Sequence, residues 1–431
     1  MENTIAVIGL GHVGLTLAVT LAEEGFNVIG VEKSPEILHH LQKISPPFFE
    51  SGLKELLEKH LGKDLHFFDS LPNQSIGTYI LCVGTPLKLD LTPNLQAAEM
   101  AMQDIARHIQ NGALVVQRST VPVGTSRQFF LPILQKTGKQ FHFACCPERT
   151  CEGVALRELR ELPQIIGCDD AASHEKAAAI FQKVTPTLVK APSMESAEIL
   201  KLVDNCWRDT TFAFANEIAL FCESLGLNAC DVIQMANLGY ERNSIPRPGF
   251  VGGPCLTKDP YLLAKPYGKP EATLPLTQNA RQVNRQLPQQ VARRVAMFLE
   301  KHGKSPEKAK IFVSGLAFKG EPATDDLRNS PSLEVLQHLR QLGVGVIKAH
   351  DFVVAPEEIV KLDILATTLE EGFQNADVVM ILNNHRQYTQ LPIHSLIKTT
   401  NNPLFFFDAW HLFSKKMVEE TGKIIYGGIG F

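Results

Sequence analysis

Thr4-Ile5-Ala6-Val7-Ile8-Gly9-Leu10-Gly11-His12-Val13-Gly14 sets a short β-type run against a glycine-rich turn. Leu15 to Glu24 then carries helix formers up to Gly25, a natural C-terminal stop, and a second strand, Asn27 to Val31, ends at Glu32. Strand, Gly-x-Gly-x-x-Gly turn, helix, strand and acidic residue follow one another in the dinucleotide-binding order. Gly9, Gly11 and Gly14 permit a tight turn, close backbone approach to a pyrophosphate, and helix-on-strand packing. The helix amides, with His12 and Val13 at its start, then receive the negative charge. Glu32 stands 18 residues past Gly14, at a strand end where a carboxylate accepts both ribose hydroxyls. It would repel a 2′-phosphate, so NAD is expected over NADP, softened slightly by the neighbouring Lys33.

Outward from this unit the same pattern continues. Strand-like runs end in Val83-Gly84-Thr85-Pro86 and in Gln117-Arg118-Ser119-Thr120, placing small or polar residues at the carboxyl ends of parallel strands, where open α/β sheets bind ligands. From Ser193 to Leu227 the character changes. Ile199, Leu200, Val203, Trp207, Phe214, Ile218, Phe221 and Leu225 recur at helical spacing, which predicts one long helix closed by Gly226. A second helical run, Leu276 to His302, includes Val291, Val295, Phe298 and Leu299. Strands are expected again at Lys310–Gly315, Gly345–Ala349, Asp377–Leu382 and Leu404–Phe407. In Gly315-Leu316-Ala317-Phe318-Lys319-Gly320 larger residues replace the second glycine, so this turn cannot approach a pyrophosphate as the first does. The expected fold is α/β: two Rossmann-like domains with parallel sheets, joined by a long central helix and a helical segment. Residues 1–192 form the NAD-binding domain, 193–304 the central helical domain, and 305–431 a C-terminal Rossmann-like domain for a different ligand.

Composition agrees with a globular chain of this kind. At 431 residues two or three domains are expected, and 44% hydrophobic with 20% charged residues argues against long disorder. Lys plus Arg number 42 against 46 Asp plus Glu, a formal charge of −4, which gives no general attraction for nucleic acid or anionic membrane. No apolar run reaches the roughly 18 residues of a spanning helix. The opening residues lack the basic start and longer apolar core of a secretory signal. The nine cysteines, an odd and scattered set, read as reduced thiols, and the expectation is a cytoplasmic protein. His142, Cys145, Cys146 and Cys151 lie close in sequence. Residues 141–146 alternate as a strand would, however, turning these groups to opposite faces, and no metal is expected.

Gly252-Gly253-Pro254-Cys255-Leu256-Thr257-Lys258-Asp259-Pro260 is the second chemical signal. A cysteine in a glycine-rich loop beside Lys and Asp is either an exposed nucleophile or a small buried residue. Only a few per cent of a free thiol, with a pKa of about 8.5, is thiolate at neutral pH; Lys258 would raise that fraction and Asp259 lower it.

With these pieces in place the sequence resembles, over essentially its whole length, the UDP-glucose/GDP-mannose dehydrogenase family of NAD-dependent nucleotide-sugar 6-dehydrogenases. The resemblance runs in order through Gly9–Gly14, Val83-Gly84-Thr85-Pro86, Ser119-Thr120-Val121-Pro122-Val123-Gly124 and Cys146-Pro147-Glu148-Arg149. Lys201 with Asn205 and the Gly252–Asp259 loop follow, then Ala317-Phe318-Lys319-Gly320 and Asp325-Asp326-Leu327-Arg328-Asn329-Ser330-Pro331. It implies oxidation of a C6 hydroxymethyl to a carboxylate, with two hydrides passed to two NAD⁺. A thiolate traps the aldehyde as a thiohemiacetal, which is oxidised to a thioester and hydrolysed.

By the same resemblance Cys255 is the nucleophile, Lys201 and Asn205 are oxyanion stabilisers one helical turn apart, and Asp259 is a base acting through water. Glu148 assists thioester hydrolysis and Thr120 orders the water. Thr85, Thr120, Glu152, Lys258 and Arg328 are implied on the cofactor side. Glu148, Arg149, Lys201, Asn205, Gly252 and Lys319 are implied on the substrate side, with Arg242 reaching across a homodimer interface built on the long helix.

Pro147-Glu148-Arg149, Asp259-Pro260-Tyr261 and the Asp325–Arg328 string resemble the branch acting on UDP-N-acetylhexosamines, UDP-ManNAc or UDP-GlcNAc. Lys258-Asp259 resembles the UDP-glucose 6-dehydrogenase branch instead, and Pro254 and Thr257 depart from the commonest form of either. UDP is favoured over GDP. Two other functions stand beside it: a catalytically silent nucleotide-sugar sensor that kept the fold, against which Cys255 and Lys201 are both present, and a two-electron β-hydroxyacid-type dehydrogenase, which shares a Rossmann domain plus long helix but has no use for Cys255 or a second Rossmann-like domain.

Overall fold

The computed structural model describes residues 3–420 and 422–431. They form two compact units. One runs up to Asn205 and takes in Lys258–Thr273; the other comprises Cys206–Thr257 and Leu274–Phe431.

The first unit is built on β1 (Thr4–Ile8), β2 (Asn27–Val31), β3 (Leu65–Phe68), β4 (Thr78–Leu81), β5 (Ala113–Gln117), β6 (Phe141–Cys145), β7 (Gln164–Gly167) and β8 (Leu188–Ala191). Their order across the sheet is β3-β2-β1-β4-β5-β6-β7-β8. Neighbours are parallel except β6 and β7, which meet antiparallel at Cys145 and Gly167. Side-chain alternation explains the continuous apolar runs: Ile5 and Val7 enter one core layer while Ala6 and Ile8 enter the other. Leu114 and Val116 divide from Ala113 and Val115 in the same way. A parallel sheet covered on both faces demands this. Strand order reverses between β1 and β4, so the crevice beyond their carboxyl ends is the ligand position such sheets provide.

The second unit repeats the plan with β9 (Lys310–Ser314), β10 (Val346–His350), β11 (Leu365–Ala366), β12 (Val378–Ile381), β13 (Leu404–Asp408) and β14 (Ile424–Gly428), ordered β11-β10-β9-β12-β13-β14. Both turns after the central strand are drawn the same way. Gly9 N donates to Val31 O at 2.8 Å and Gly315 N to His350 O at 3.0 Å. They differ at the second glycine position, Gly11 in the first turn and Ala317 in the second. Asp351 Oδ2 accepts from Leu316 N at 2.7 Å and Ala317 N at 3.1 Å, and a Cβ on Gly315 would lie 2.6 Å from Asn383 N. Glu32 Oε2 meets Leu10 N at 2.8 Å in the same way, so what sets the second turn apart is the Ala317 side chain, where the first turn has none at Gly11.

The long helix spans Met194–Ser224, beginning in the first unit and ending in the second. It stops three residues before the sequence expectation of Leu227, and Gly226 turns the chain with φ +69°. A second helix, Pro275–Lys301, continues through Pro288 and buries Leu287, Val291, Val295, Phe298 and Leu299 in the core of the second unit.

Candidate active site

At the first glycine-rich turn each glycine has a separate steric reason. Gly9 has φ +91°, and a Cβ there would lie 3.0 Å from Cys82 O. A Cβ on Gly14 would sit 1.8 Å from Gly9 O, so only glycine lets the helix lie on the strand. On Gly11 a Cβ would meet nothing within 4 Å, leaving open space in front of the turn where a pyrophosphate needs it. The helix His12–Glu23 starts there with no acidic residue in its first turn and no side-chain cap. Its amides and dipole are therefore directed at that space. His12 stacks on Phe48 with ring centroids 3.9 Å apart. Glu32 is fixed at the rim: its carboxylate accepts from Leu10 N at 2.8 Å and Ser34 N at 2.9 Å. These residues fit a dinucleotide.

Beyond the ends of β4 and β5, Thr85 Oγ1 donates to Thr120 O at 2.5 Å and Ser119 Oγ to Val83 O at 2.7 Å. The two polar loops singled out in the sequence are thus tied to each other. Lys258 Nζ lies 3.4 Å from Thr85 Oγ1 and 3.0 Å from Asp259 Oδ1. Asp259 is fully buried and also accepts from Asn205 Nδ2 at 2.5 Å. The Lys258 and Asp259 charges, expected to pull the cysteine in opposite directions, oppose each other directly.

Glu148 is buried, with Lys201 among its electrostatic neighbours. Burial pushes its carboxyl up, but the Arg118 guanidinium, the Thr150 and Arg149 amides and the Lys201 charge outweigh this and hold it below the usual carboxylate range. Arg118 is itself buried. It pairs with Glu148, donates to Cys146 O at 3.2 Å and Gln164 Oε1 at 2.8 Å, and lies over the Phe181 ring. Arg149 does not pair with its neighbour; its Nε donates to Asp204 Oδ2 at 2.9 Å. Sequence reasoning passed over Arg118. The signal was a cation directly after β5, at the end of a buried strand, a position that requires a buried anion nearby.

In the second unit Cys255 lies on a single turn of helix, Gly253–Leu256, partly accessible to solvent. A Cβ on Gly252 would strike Pro331 Cδ at 2.3 Å, and one on Gly253, with φ +85°, would strike the Phe318 ring at 2.7 Å. Gly253 N donates to Asn329 O at 3.1 Å. Two adjacent glycines therefore seat the cysteine turn directly on the segments that carry Lys319 and Arg328. Asp326 holds the Arg328 guanidinium, Oδ2 to Nη2 at 2.6 Å. Arg242 is exposed and lies over the Tyr240 ring.

Family models match this chain in three consecutive blocks. The NAD binding domain of the UDP-glucose/GDP-mannose dehydrogenase family matches residues 3–185, its central domain 195–286 and its UDP binding domain 312–415. The chain belongs to the UDP-glucose/GDP-mannose dehydrogenase family. A relative from Pyrococcus horikoshii, a UDP-N-acetyl-D-mannosamine dehydrogenase, is 33% identical over 93% of this chain and 94% of its own. An NDP-N-acetyl-D-galactosaminuronic acid dehydrogenase from Ralstonia nicotianae is 31% identical over 90% and 92%. The solved structure of a UDP-D-ManNAc dehydrogenase from Pyrococcus horikoshii superposes with a TM-score of 0.89, at 30% identity and 99% coverage of each chain. As a member of this family the protein is an NAD-dependent nucleotide-sugar dehydrogenase, and the glycine-rich turn belongs to its NAD-binding domain. Among the described residues no helix is long and apolar enough to cross a membrane.

Proposed function

We propose that this dehydrogenase oxidises the C6 hydroxymethyl of a UDP-N-acetylhexosamine, UDP-ManNAc or UDP-GlcNAc, to the uronate through a thiohemiacetal and a thioester on Cys255. The observation that carries the reading is the seating of a partly accessible cysteine on the Phe318–Gly320 and Asn329–Pro331 segments of a domain whose glycine-rich turn carries Ala317 at the second glycine position. A two-electron oxidation needs no thiol. The relatives' acetylhexosamine substrates support the sugar class.

Bound NAD⁺ supplies the hydride acceptor for each oxidation. Gly9, Gly11, Gly14, His12 and Val13 would hold its pyrophosphate and Glu32 its ribose, and the family resemblance assigns Thr85, Thr120, Glu152, Lys258 and Arg328 to the cofactor. Asp259 takes the alcohol proton through water, while Lys201 and Asn205 hold the developing oxyanions. The Cys255 thiolate adds to the aldehyde carbon. After the second oxidation Glu148, kept anionic by Arg118, activates the water ordered by Thr120, and the thioester opens to carboxylate and thiol. Arg149, Gly252 and Lys319 contact the substrate.

Residues 1–192, 193–304 and 305–431 serve as NAD-binding, central and nucleotide-sugar domains, a division the three family matches support. A homodimer completes the proposal. Trp207, Phe214 and Phe221 follow one another at seven-residue intervals on the long helix and are 67, 51 and 62% exposed, an apolar stripe suited to a second helix. Arg242 then reaches the substrate across that interface, in a cytosol where thiols stay reduced. The test is a panel of UDP- and GDP-sugars assayed for NADH and uronate. Turnover confined to a GDP-sugar, or to UDP-glucose, would overturn the substrate assignment.

A further inference from the structure

The segment 243–252 has no regular secondary structure, yet it delivers the cysteine turn Gly253–Leu256. Its backbone is held by buried polar groups. Asn216 exchanges two hydrogen bonds with Gly249, donating to its carbonyl at 3.0 Å and accepting from its amide at 2.9 Å. Arg281 donates to Leu256 O at 3.1 Å, immediately after the cysteine, and to Val251 O at 3.5 Å, four residues before it. The same guanidinium pairs with Asp209 Oδ1 at 2.6 Å, and Asn284 Nδ2 donates to that oxygen at 2.8 Å. Asp209 is completely buried and Arg281 nearly so.

A buried ion pair contributes little net stability, because desolvation of both charges offsets their attraction. The planar guanidinium adds something a point charge cannot: donors directed at once to a carboxylate and to backbone carbonyls on both sides of one residue. We propose that Asp209 and Arg281 are positioning residues for the Cys255 thiol, with Asp209 orienting Arg281 and Arg281 fixing the chain on either side of the cysteine. The inference rests on the role of Cys255 proposed above. It explains how an irregular segment holds a nucleophile to the tolerance that covalent catalysis needs, where a displacement of about 1 Å costs on the order of a hundredfold in rate.

The experiment follows NADH formation by rapid mixing of sugar nucleotide with excess NAD⁺, in the wild type, Arg281→Lys, Asp209→Asn and Cys255→Ser. Lysine keeps the ion pair with Asp209 but loses the fork, so a purely structural pair predicts Arg281→Lys to behave as wild type. Positioning predicts a first NADH equivalent within about twofold of wild type, a second slowed by about tenfold or more, and an unchanged KM for NAD⁺. A folded Arg281→Lys that forms both equivalents at wild-type rates overturns the proposal, as does equal slowing of the two. Should Arg281→Lys lose its melting transition, Asp209→Asn, nearly isosteric, carries the same test. Full-speed uronate formation by Cys255→Ser would instead remove the nucleophile reading, and this proposal with it. A stalled Cys255→Ser beside an unaffected Arg281→Lys overturns the positioning role alone.

Discussion

Glu148 keeps its charge in a buried place because Arg118 and two backbone amides face it. Its folded pKa lies below the unfolded value, so the ionised pair stabilises the protein above the ordinary carboxylate range. That contribution is lost as pH falls through the lower, folded value. Glu148→Gln should therefore destabilise the protein at neutral pH by on the order of 3 kcal/mol, since Arg118 stays buried opposite a neutral amide. Urea unfolding should show the gap to wild type closing toward acid, and a gap independent of pH would contradict the pairing. The same variant should slow hydrolysis and leave a covalent adduct on Cys255, visible in the intact mass. Glu32→Ala should narrow the preference for NAD⁺ over NADP⁺, and equal wild-type kcat/KM for the two cofactors would dismiss Glu32 as the discriminator. Glu32 and the glycines were legible because their spacing is local. Arg118, Asp209 and Arg281 were not: each makes sense only beside a partner 30 or more residues away, Glu148 for the first and each other for the last two.

The glycine-rich turn and its helix show how one element separates folding from binding. Gly14→Ala places a methyl 1.8 Å from Gly9 O and should cost about 1–3 kcal/mol or more in stability, with unfolding at lower urea. Gly11→Ala, with only open space before its Cβ, should melt like wild type but bind NAD⁺ about tenfold more weakly. Matched melting and matched NAD⁺ affinity for both variants would remove the turn from cofactor binding. Periodicity located the long helices to within a few residues because their apolar spacing is uninterrupted. Pro288 did not end Pro275–Lys301, since burial of Leu287, Val291 and Val295 around it outweighs one lost backbone hydrogen bond. Strand direction was less accessible. The antiparallel contact of β6 with β7 leaves the alternation of side chains unchanged, so the sequence carries no mark of it.

Two sheets share the same central strand order, and their turns differ at the second glycine position, Gly11 in the part matching the NAD binding domain and Ala317 in the part matching the UDP binding domain. That difference was legible from the glycine missing after Gly315; what the turns share, an acidic side chain after the neighbouring strand seated on the turn amide, was not. The apolar stripe on the long helix bears on assembly. Sedimentation at micromolar concentration should show a dimer, and Trp207→Asp with Phe214→Asp should shift it to monomer; a fully active wild-type monomer would dismiss the interface. The chemistry itself is tested most directly by counting. With limiting UDP-N-acetylhexosamine and excess NAD⁺, the purified protein should form two NADH per sugar and an equal amount of uronate to sugar consumed. One NADH per sugar with an aldehyde or ketone product, or none, would contradict it.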